Sequence, residues 1–467
     1  MQPRNKNLSA WATTWFALAA ILSFHLAYTM RNCQILIVVF LYCLFRLANV
    51  QTSRQAFYIG LEIGLAIYAP QLTFFWKIFQ AGAIPLWLIL SFWLGLFPLL
   101  GRACVARFGL VGWACAAPFV WTGLEYSRSE LNYLRFSWLN PGYAFSDSSS
   151  LYYVACYGVY GIGFVLMTLV AIGGIVRQLG WSGRVLAGSV AALLLLYPAL
   201  APAPQNSAQK SLRVTGVQLE FPAPSEAVSA LDQAIAKFPE TDLLVLSEYT
   251  FNGPIPELVK KWCRQHRKYL VAGGEDPISP PQYYNTAFVV SPGGEIIFRQ
   301  AKCVPIQFFK DGLPAPKQGL WNSPWGKLGV GICYDASYAR VTDELIRQGA
   351  QGLVFPTMDV ADWGSHQHQL HARIAPMRAA EYAVPVFRLC SSGISQFAGP
   401  NGRVLESAPF PGQGAIMSAQ MQLTTHGRMP PDRWLAPLSV GITVALSAWL
   451  AIDCVRHRFT NSTTAAK

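Results

Sequence analysis

Three residues in this chain, a carboxylate, an amine and a thiol, stand where short apolar runs end, and together they could transfer an acyl group. The thiol is Cys333, in Gly329-Val330-Gly331-Ile332-Cys333-Tyr334-Asp335, an apolar run that stops before a helix-like stretch. The carboxylate is Glu248, where Leu243-Leu244-Val245-Leu246 gives way to Ser247-Glu248-Tyr249. The amine is Lys302, just past a third run at 296–299. Cysteine acyl transfer needs a thiolate, a base for its proton, and a cationic or hydrogen-bonding group for the oxyanion. A helix starting after Cys333 would lower the thiol pKa and favour the nucleophile. Taken singly, each residue also has an ordinary reading: a buried structural cysteine, a surface carboxylate at a loop entry, a solvated loop lysine.

The elements that must position these residues are short and β-rich. Strands are expected at 212–219, 243–246, 269–272, 287–290, 296–299, 328–333, 352–355 and 384–389. Helices are expected at 225–236, 256–266, 339–348 and 367–382, the last kinked at Pro376. Strands interleaved with helices argue an α/β domain whose strand ends bind the ligand. A Pro-rich linker, Ala201-Pro202-Ala203-Pro204-Gln205-Asn206-Ser207-Ala208-Gln209, precedes it.

Outside this unit the chain changes character. Hydrophobic residues make up 52% and charged residues 13% of the whole, the balance of a membrane protein. Seven apolar runs precede the α/β unit, at 10–29, 33–50, 56–76, 82–101, 104–125, 151–176 and 182–202, and an eighth follows at 434–453. Each approaches the roughly 20 residues that a bilayer core requires. Trp11, Tyr28, Trp76, Trp181, Tyr197 and Trp434 sit at their ends as interfacial anchors. With the N-terminus inside, the inner loops and termini carry Arg4, Lys6, Arg54, Arg102, Arg107, Arg177, Arg184, Arg456, Arg458 and Lys467, against only Arg31, Lys77, Arg128 and Arg135 outside. That bias, with seven spans first, places 205–432 on the outer side of the membrane.

The net charge of +12 does not indicate nucleic acid, because the basic residues are scattered and no aromatic-interleaved basic patch occurs. Ten cysteines without a CxxC pair give neither a zinc site nor a disulfide framework. Cys303, next to Lys302, lacks the strand-to-helix setting of Cys333 and reads as structural. His366, His368 and His371 have no partner thiol or carboxylate at a metal-ligand spacing. Arg378 and Glu381, three apart, read as a local helix ion pair.

Glu248, Lys302 and Cys333, in this order and with Gly331-Ile332-Cys333-Tyr334 around the thiol, resemble the nitrilase superfamily, whose Glu-Lys-Cys triad sits on an αββα sandwich. Within it, the whole chain resembles the apolipoprotein N-acyltransferases, which insert a nitrilase-like domain between their seventh and eighth membrane helices. Ser137-Trp138-Leu139-Asn140-Pro141-Gly142-Tyr143 is similar to that family's membrane-face segment, and Gly158-Val159-Tyr160-Gly161-Ile162-Gly163-Phe164 to its entry into the sixth helix. His371, Ala375, Met377, Arg378, Ala379 and Glu381 match the helix after the cysteine.

The resemblance implies a polytopic helical membrane domain, 1–204, a periplasmic carbon–nitrogen hydrolase domain, 205–432, and a last membrane helix with a cytoplasmic tail, 433–467. It further implies an inner-membrane enzyme without a cofactor or metal. Its substrates would be a glycerophospholipid acyl donor and a diacylglyceryl-apolipoprotein acceptor. A membrane-tethered carbon–nitrogen hydrolase and a lipid-binding homologue without activity are the alternatives.

Four positions depart from the family pattern. Ser247 replaces a proline before the glutamate, and Asp335 replaces a glutamate after Cys333-Tyr334. Gln300 occupies the usual lysine spacing before Val304-Pro305, so Lys302 serves only if the segment is two residues shorter; in an extended chain that shift keeps the same face. Phe308 stands where the family has a further glutamate, and Asp311 is the nearest following carboxylate.

Overall fold

The structure, a computed structural model, describes residues 7–146, 151–200 and 210–465. The linker at 201–209, together with Arg4, Lys6, Lys467 and the side chain of Arg458, lies outside the described residues.

The first part is helical: α1 (Ala10–Thr29), α2 (Leu36–Leu47), α3 (Ser53–Gln71), α4 (Phe74–Phe79), α5 (Ala83–Tyr126), α6 (Leu151–Tyr157), α7 (Val159–Ile175) and α8 (Trp181–Leu200). Among the described residues, five helical stretches are long and apolar enough to cross a membrane: Ala10–Thr29, Phe74–Leu131, Val159–Gln178, Trp181–Leu200 and Asp432–Arg456. Helix α5 has 44 residues, which at about 1.5 Å each is twice a bilayer core. Gly109 divides it, with φ 72° and ψ −178°, a conformation closed to most side chains. The two apolar runs expected from sequence thus form one element broken at Gly109, past Arg102 and Arg107 rather than between 101 and 104. Helix α2 has 12 residues, shorter than the expected run at 33–50 and than a bilayer core.

The second part runs β1 (Lys210–Val217), α9 (Pro224–Lys237), β2 (Leu243–Val245), α10 (Glu257–His266), β3 (Tyr269–Ser279), β4 (Gln282–Val290), β5 (Ile296–Ala301), β6 (Leu320–Ser323) and β7 (Gly326–Val330). It continues with α11 (Ala339–Arg347), β8 (Gly352–Thr357), α12 (Ser365–Ala372), α13 (Ile374–Tyr382), β9 (Val386–Cys390), β10 (Ser395–Ala398), β11 (Val404–Ala408) and β12 (Ile416–Leu423). The strands make two six-stranded sheets, ordered β12-β1-β2-β3-β4-β5 and β11-β10-β9-β8-β7-β6. Strands β1, β2 and β3 are parallel in the first, and β7, β8 and β9 in the second. Strands β2, β8 and β9 are buried at every residue, which is why they read as unbroken apolar runs. The sheets pack face to face so closely that a Cβ on Gly216 would lie 2.4 Å from Leu389. With α9 and α10 against one sheet and α11 and α13 against the other, this is the αββα sandwich.

Helix α14 (Asp432–Ala465) leaves the sandwich and packs along α5, where Thr443 donates to the Phe119 carbonyl at 3.2 Å. The two parts are hydrogen-bonded together. Glu130 accepts from the Ala339 amide at 2.8 Å, and Glu381 accepts from the Val159 amide at 2.9 Å. Trp138 donates to the Ser337 hydroxyl at 2.9 Å.

Two local expectations are corrected. The 367–382 helix breaks at Arg373, not at Pro376, which sits in the first turn of α13, where a missing amide costs nothing. Strand β7 stops at Val330, and Cys333 opens a tight 3-10 turn, Cys333–Ser337, with the α-helix beginning only at Ala339.

Candidate active site

Glu248 follows β2 in the first sheet. Gly273 of β3 passes so near that a Cβ there would meet the Glu248 Cα at 2.5 Å, so this close approach needs a glycine. Ser247 fixes the turn by donating to the Leu219 carbonyl at 2.7 Å and accepting at its own carbonyl from the Thr250 hydroxyl at 2.7 Å. Lys302 follows β5, its amide donating to the Asn285 carbonyl at 2.7 Å and its carbonyl accepting from Ala315 at 2.8 Å. Along β5 the inward face passes from half-buried Phe298 through buried Gln300 to Lys302, as period two requires. Gln300 is occupied elsewhere: it donates to the carbonyls of Ala301 and Lys317 and accepts from the Gly319 amide.

Lys302 is fully buried between two carboxylates, 2.8 Å from Glu248 Oε1 and 2.7 Å from Asp311 Oδ2. Asn285 clamps the same pair, donating to Glu248 Oε1 at 2.6 Å and Asp311 Oδ1 at 2.7 Å. Asp311 also accepts from the Tyr249 hydroxyl and the Ile306 amide. The nearest following carboxylate in the sequence therefore reaches the lysine.

Cys333 comes from the second sheet, with φ 47°, a left-handed conformation costly for a side chain with a Cβ. Met358, just past β8, joins the halves: its amide donates to Glu248 Oε2 at 2.7 Å, and its carbonyl accepts from the Cys333 thiol at 3.7 Å. Asp335 fastens the cysteine turn to the lysine strand by accepting from the amides of Cys303, Val304 and Ile332. Arg378 donates to the carbonyls of Ala336 and Ser337 at 2.7 and 2.9 Å while also pairing with Glu381, so this pair reaches well beyond its own helix. The structure brings Glu248, Lys302 and Cys333 together, while Cys303 packs beside Gln300.

Burial dominates the electrostatics. It pushes Cys333 well above the usual thiol range, Glu248 acts in the same direction, and Lys302 opposes both. The lowering expected from a helix N-terminus is absent because no α-helix begins at the thiol. Burial also raises Glu248, against Lys302, and Asp311 adds to the rise. Burial opposes the Lys302 charge, but Asp311 and Glu248 more than offset it and hold the ammonium well above its ordinary pKa. Asp335 is pushed up to about 6 by burial, against Lys302 and its three backbone donors. The thiol form of Cys333 is thus favoured at rest, beside Glu248.

Cys333 is one of the residues that line a cleft. One wall is membrane helix and adjoining loop, with Phe74, Phe75, Ile78, Phe79, Leu86 and Trp138; the other includes Tyr334, Asp359, Gln367, His371 and the loop at 306–308. Trp138 stacks on His371 with ring centroids 4.5 Å apart. Sequence reasoning missed Asn285, Met358, Asp359 and Gln367. None of the four left a readable signal: Asn285 lies before the strand expected at 287–290, next to polar Thr286. Among the described residues no group of three or more His, Cys, Asp or Glu is placed to hold a metal ion.

Residues 17–172 match the apolipoprotein N-acyltransferase N-terminal domain, and residues 225–430 match the carbon–nitrogen hydrolase family. An apolipoprotein N-acyltransferase of Geobacter metallireducens is 24% identical over 430 residues, spanning 79% of this chain and 82% of the relative. Together these matches make the chain similar to the apolipoprotein N-acyltransferases along most of its length. Another of them, from Ralstonia nicotianae, is 24% identical over 76% of this chain and 77% of its own. The omega-amidase NIT2-B of Xenopus laevis is 27% identical over 37% of this chain and 67% of its own length. The N-acyltransferase matches thus extend through the membrane helices, whereas the amidase match takes in little more than a third of the chain.

Proposed function

We propose that this membrane protein is an N-acyltransferase that moves an acyl chain from a glycerophospholipid, through a thioester on Cys333, to the α-amino group of a diacylglyceryl-cysteine on an apolipoprotein. One observation carries the reading: Cys333, beside the Glu248–Lys302 pair, lines a cleft walled on one side by apolar membrane helix. A donor acyl chain held there avoids exposure to water, at about 0.8 kcal/mol per CH₂.

Glu248 takes the Cys333 proton as the sulfur attacks the ester carbonyl. The charge appearing on the carbonyl oxygen is met by the Lys302 ammonium, which makes a proton transfer between two buried groups favourable as the reaction proceeds. The ester C–O bond breaks, and the Glu248 proton passes to the departing glyceryl oxygen. In the second half the amine nitrogen attacks the thioester carbon and the C–S bond breaks. One amine proton passes by Glu248 to the sulfur, restoring the thiol. Asp311 keeps Lys302 charged, and Asn285 keeps both carboxylates in place.

The same reading places the sandwich on the periplasmic side of a bacterial inner membrane, with eight spans and both termini inside. It is supported by the basic residues. Arg102 reaches the Gln51 carbonyl at 3.1 Å and Arg107 pairs with Asp453 at 3.6 Å, at the helix ends bearing the Lys/Arg excess.

The test is the mass of Cys333 after incubation with phospholipid and no acceptor. An acyl adduct, discharged by a diacylglyceryl-cysteine peptide to give N-acylated product, is expected. Discharge to water alone would make the protein a hydrolase, and absence of any adduct would make it a binding protein.

A further inference from the structure

Asp359 Oδ1 anchors two side chains of α12 that lie one turn apart on one face: His371 Nδ1 at 2.8 Å and Gln367 Nε2 at 3.0 Å. The carboxylate fixes both orientations. A nitrogen that close to Asp359 must carry hydrogen, so the imidazole is protonated at Nδ1 and the amide turns its NH₂ to the carboxylate. Burial, then Arg388, hold His371 down to about 4 against Asp359, so the ring is neutral and Nε2 keeps its lone pair. His371 Nε2 and Gln367 Oε1 are consequently both acceptors, and both are buried without a partner among the described residues. Both residues are 1% exposed and line the cleft that holds Cys333. Buried acceptors left unmatched are costly, and a pair of them in residues that line the same cleft as Cys333 calls for a donor. The family resemblance supplied His371 only as part of a helix match, and Gln367 not at all.

We propose that His371 Nε2 and Gln367 Oε1 bind the amino group that discharges the Cys333 thioester. This deepens, and rests on, the two-step transfer described above. The two acceptors take two of the ammonium's three N–H bonds. Loss of the third proton to water leaves a lone pair for the thioester carbon. As the N–C bond forms and the C–S bond breaks, one remaining N–H proton passes to Glu248 and on to the sulfur. The phospholipid ester brings no comparable N–H donor to its carbonyl, so the two acceptors distinguish the second substrate from the first.

The experiment separates the half-reactions. His371→Phe keeps the ring on Trp138 but lacks Nε2, and Gln367→Met keeps side-chain length but lacks Oε1. Cys333 is loaded from phospholipid or, independently, from p-nitrophenyl octanoate, and its discharge by a synthetic diacylglyceryl-cysteine dipeptide is timed. For each variant the second-order discharge constant should fall about 10- to 100-fold, the worth of a hydrogen bond to a charged group, and loading should fall far less. His371→Gln, which offers Asp359 a donor and the amine an acceptor, should recover part of the loss. Equal losses in loading and discharge would reduce both residues to structural roles and overturn the proposal, as would unchanged discharge or a Cys333 that accepts acyl groups from neither donor. Loading by p-nitrophenyl octanoate but not phospholipid, with discharge still dependent on His371, would retain the proposal and reject the phospholipid as donor.

Discussion

The two sheets of the sandwich equip the site in opposite ways. The first sheet contributes Glu248, Lys302, Asp311 and Asn285, a cluster in which both carboxylates and the ammonium are bound by neighbours. The second contributes Cys333, Asp359, His371 and Gln367, where one carboxylate orients two side chains whose remaining acceptors stay open. The first arrangement suits a proton store that must not move. The second suits a surface completed by substrate. Met358 is the shared joint, its amide on one side and its carbonyl on the other.

The largest effects should come from the two residues that Met358 joins. Cys333→Ala should abolish the acyl adduct, and Glu248→Gln should slow its formation by about 10²- to 10⁴-fold, the usual value of a positioned base. Adduct mass in detergent with a phospholipid donor measures both. If Glu248→Gln loads at the wild-type rate, the closed cluster is a structural brace and the division between halves fails.

Within the closed cluster, Lys302→Met should cost acylation about 10²- to 10³-fold, as loss of an oxyanion donor does. The variant also strands Glu248 and Asp311 as buried carboxylates with no cation between them, a penalty of about 3–5 kcal/mol. Lys302 is thus a structural residue as well as the proposed oxyanion donor. Asp311→Asn leaves the Lys302–Glu248 pair intact and should slow loading less, by about 10- to 100-fold. Comparing loading rate with Tm across the two variants separates the roles. A variant that loses Tm but not rate would remove Lys302 from the chemistry.

How much of this was legible beforehand follows the same division. Glu248, Lys302 and Cys333 stood out because apolar runs end beside them, and the α/β alternation followed from strands buried on both faces. Strands β6, β10, β11 and β12 were missed. They are antiparallel outer strands, and β11 in particular, Val404–Ala408, is mostly exposed, so no apolar run marks it. Strand β12 alternates buried Met417, Ala419, Met421 and Leu423 with Ser418, Gln420 and Gln422, a period-two signal that was legible and missed. Asp359 and Gln367 were missed because their roles depend on meeting across a loop and a helix. The break in α5 was misplaced because Gly109 lies within a continuous apolar run.

The open half should reveal itself in acid. His371 is held down to about 4, whereas an unfolded histidine titrates near 6.5. A lowered histidine contributes stability that is present above the unfolded value and lost as pH falls through the folded one. Between those limits the unfolded chain takes the proton first, so acidification should cost the fold about 3 kcal/mol. His371→Phe has no such proton to bind. The Tm of the detergent-solubilised protein should therefore fall less between about pH 6.5 and 4 in the variant than in wild type. Parallel curves would mean that the ring is not held neutral, and the open acceptor would be lost with it.

The smallest effect tests whether the closed cluster supports itself. Ser247 stands where the family writes proline, and its hydroxyl donates to the Leu219 carbonyl at 2.7 Å, also lying 3.2 Å from the Thr250 hydroxyl. Ser247→Ala removes those bonds and leaves a buried carbonyl short of a partner, which should cost about 1–2 kcal/mol. Glu248 itself keeps the Lys302, Asn285 and Met358 contacts, so loading should change by no more than about threefold. Denaturation midpoint and loading rate on the same preparation give the two numbers. A rate loss approaching that of Glu248→Gln would show that the turn, not the cluster, aims the carboxylate. The first sheet would then be as dependent on its surroundings as the second, and the contrast between a closed half and an open one would have to be given up.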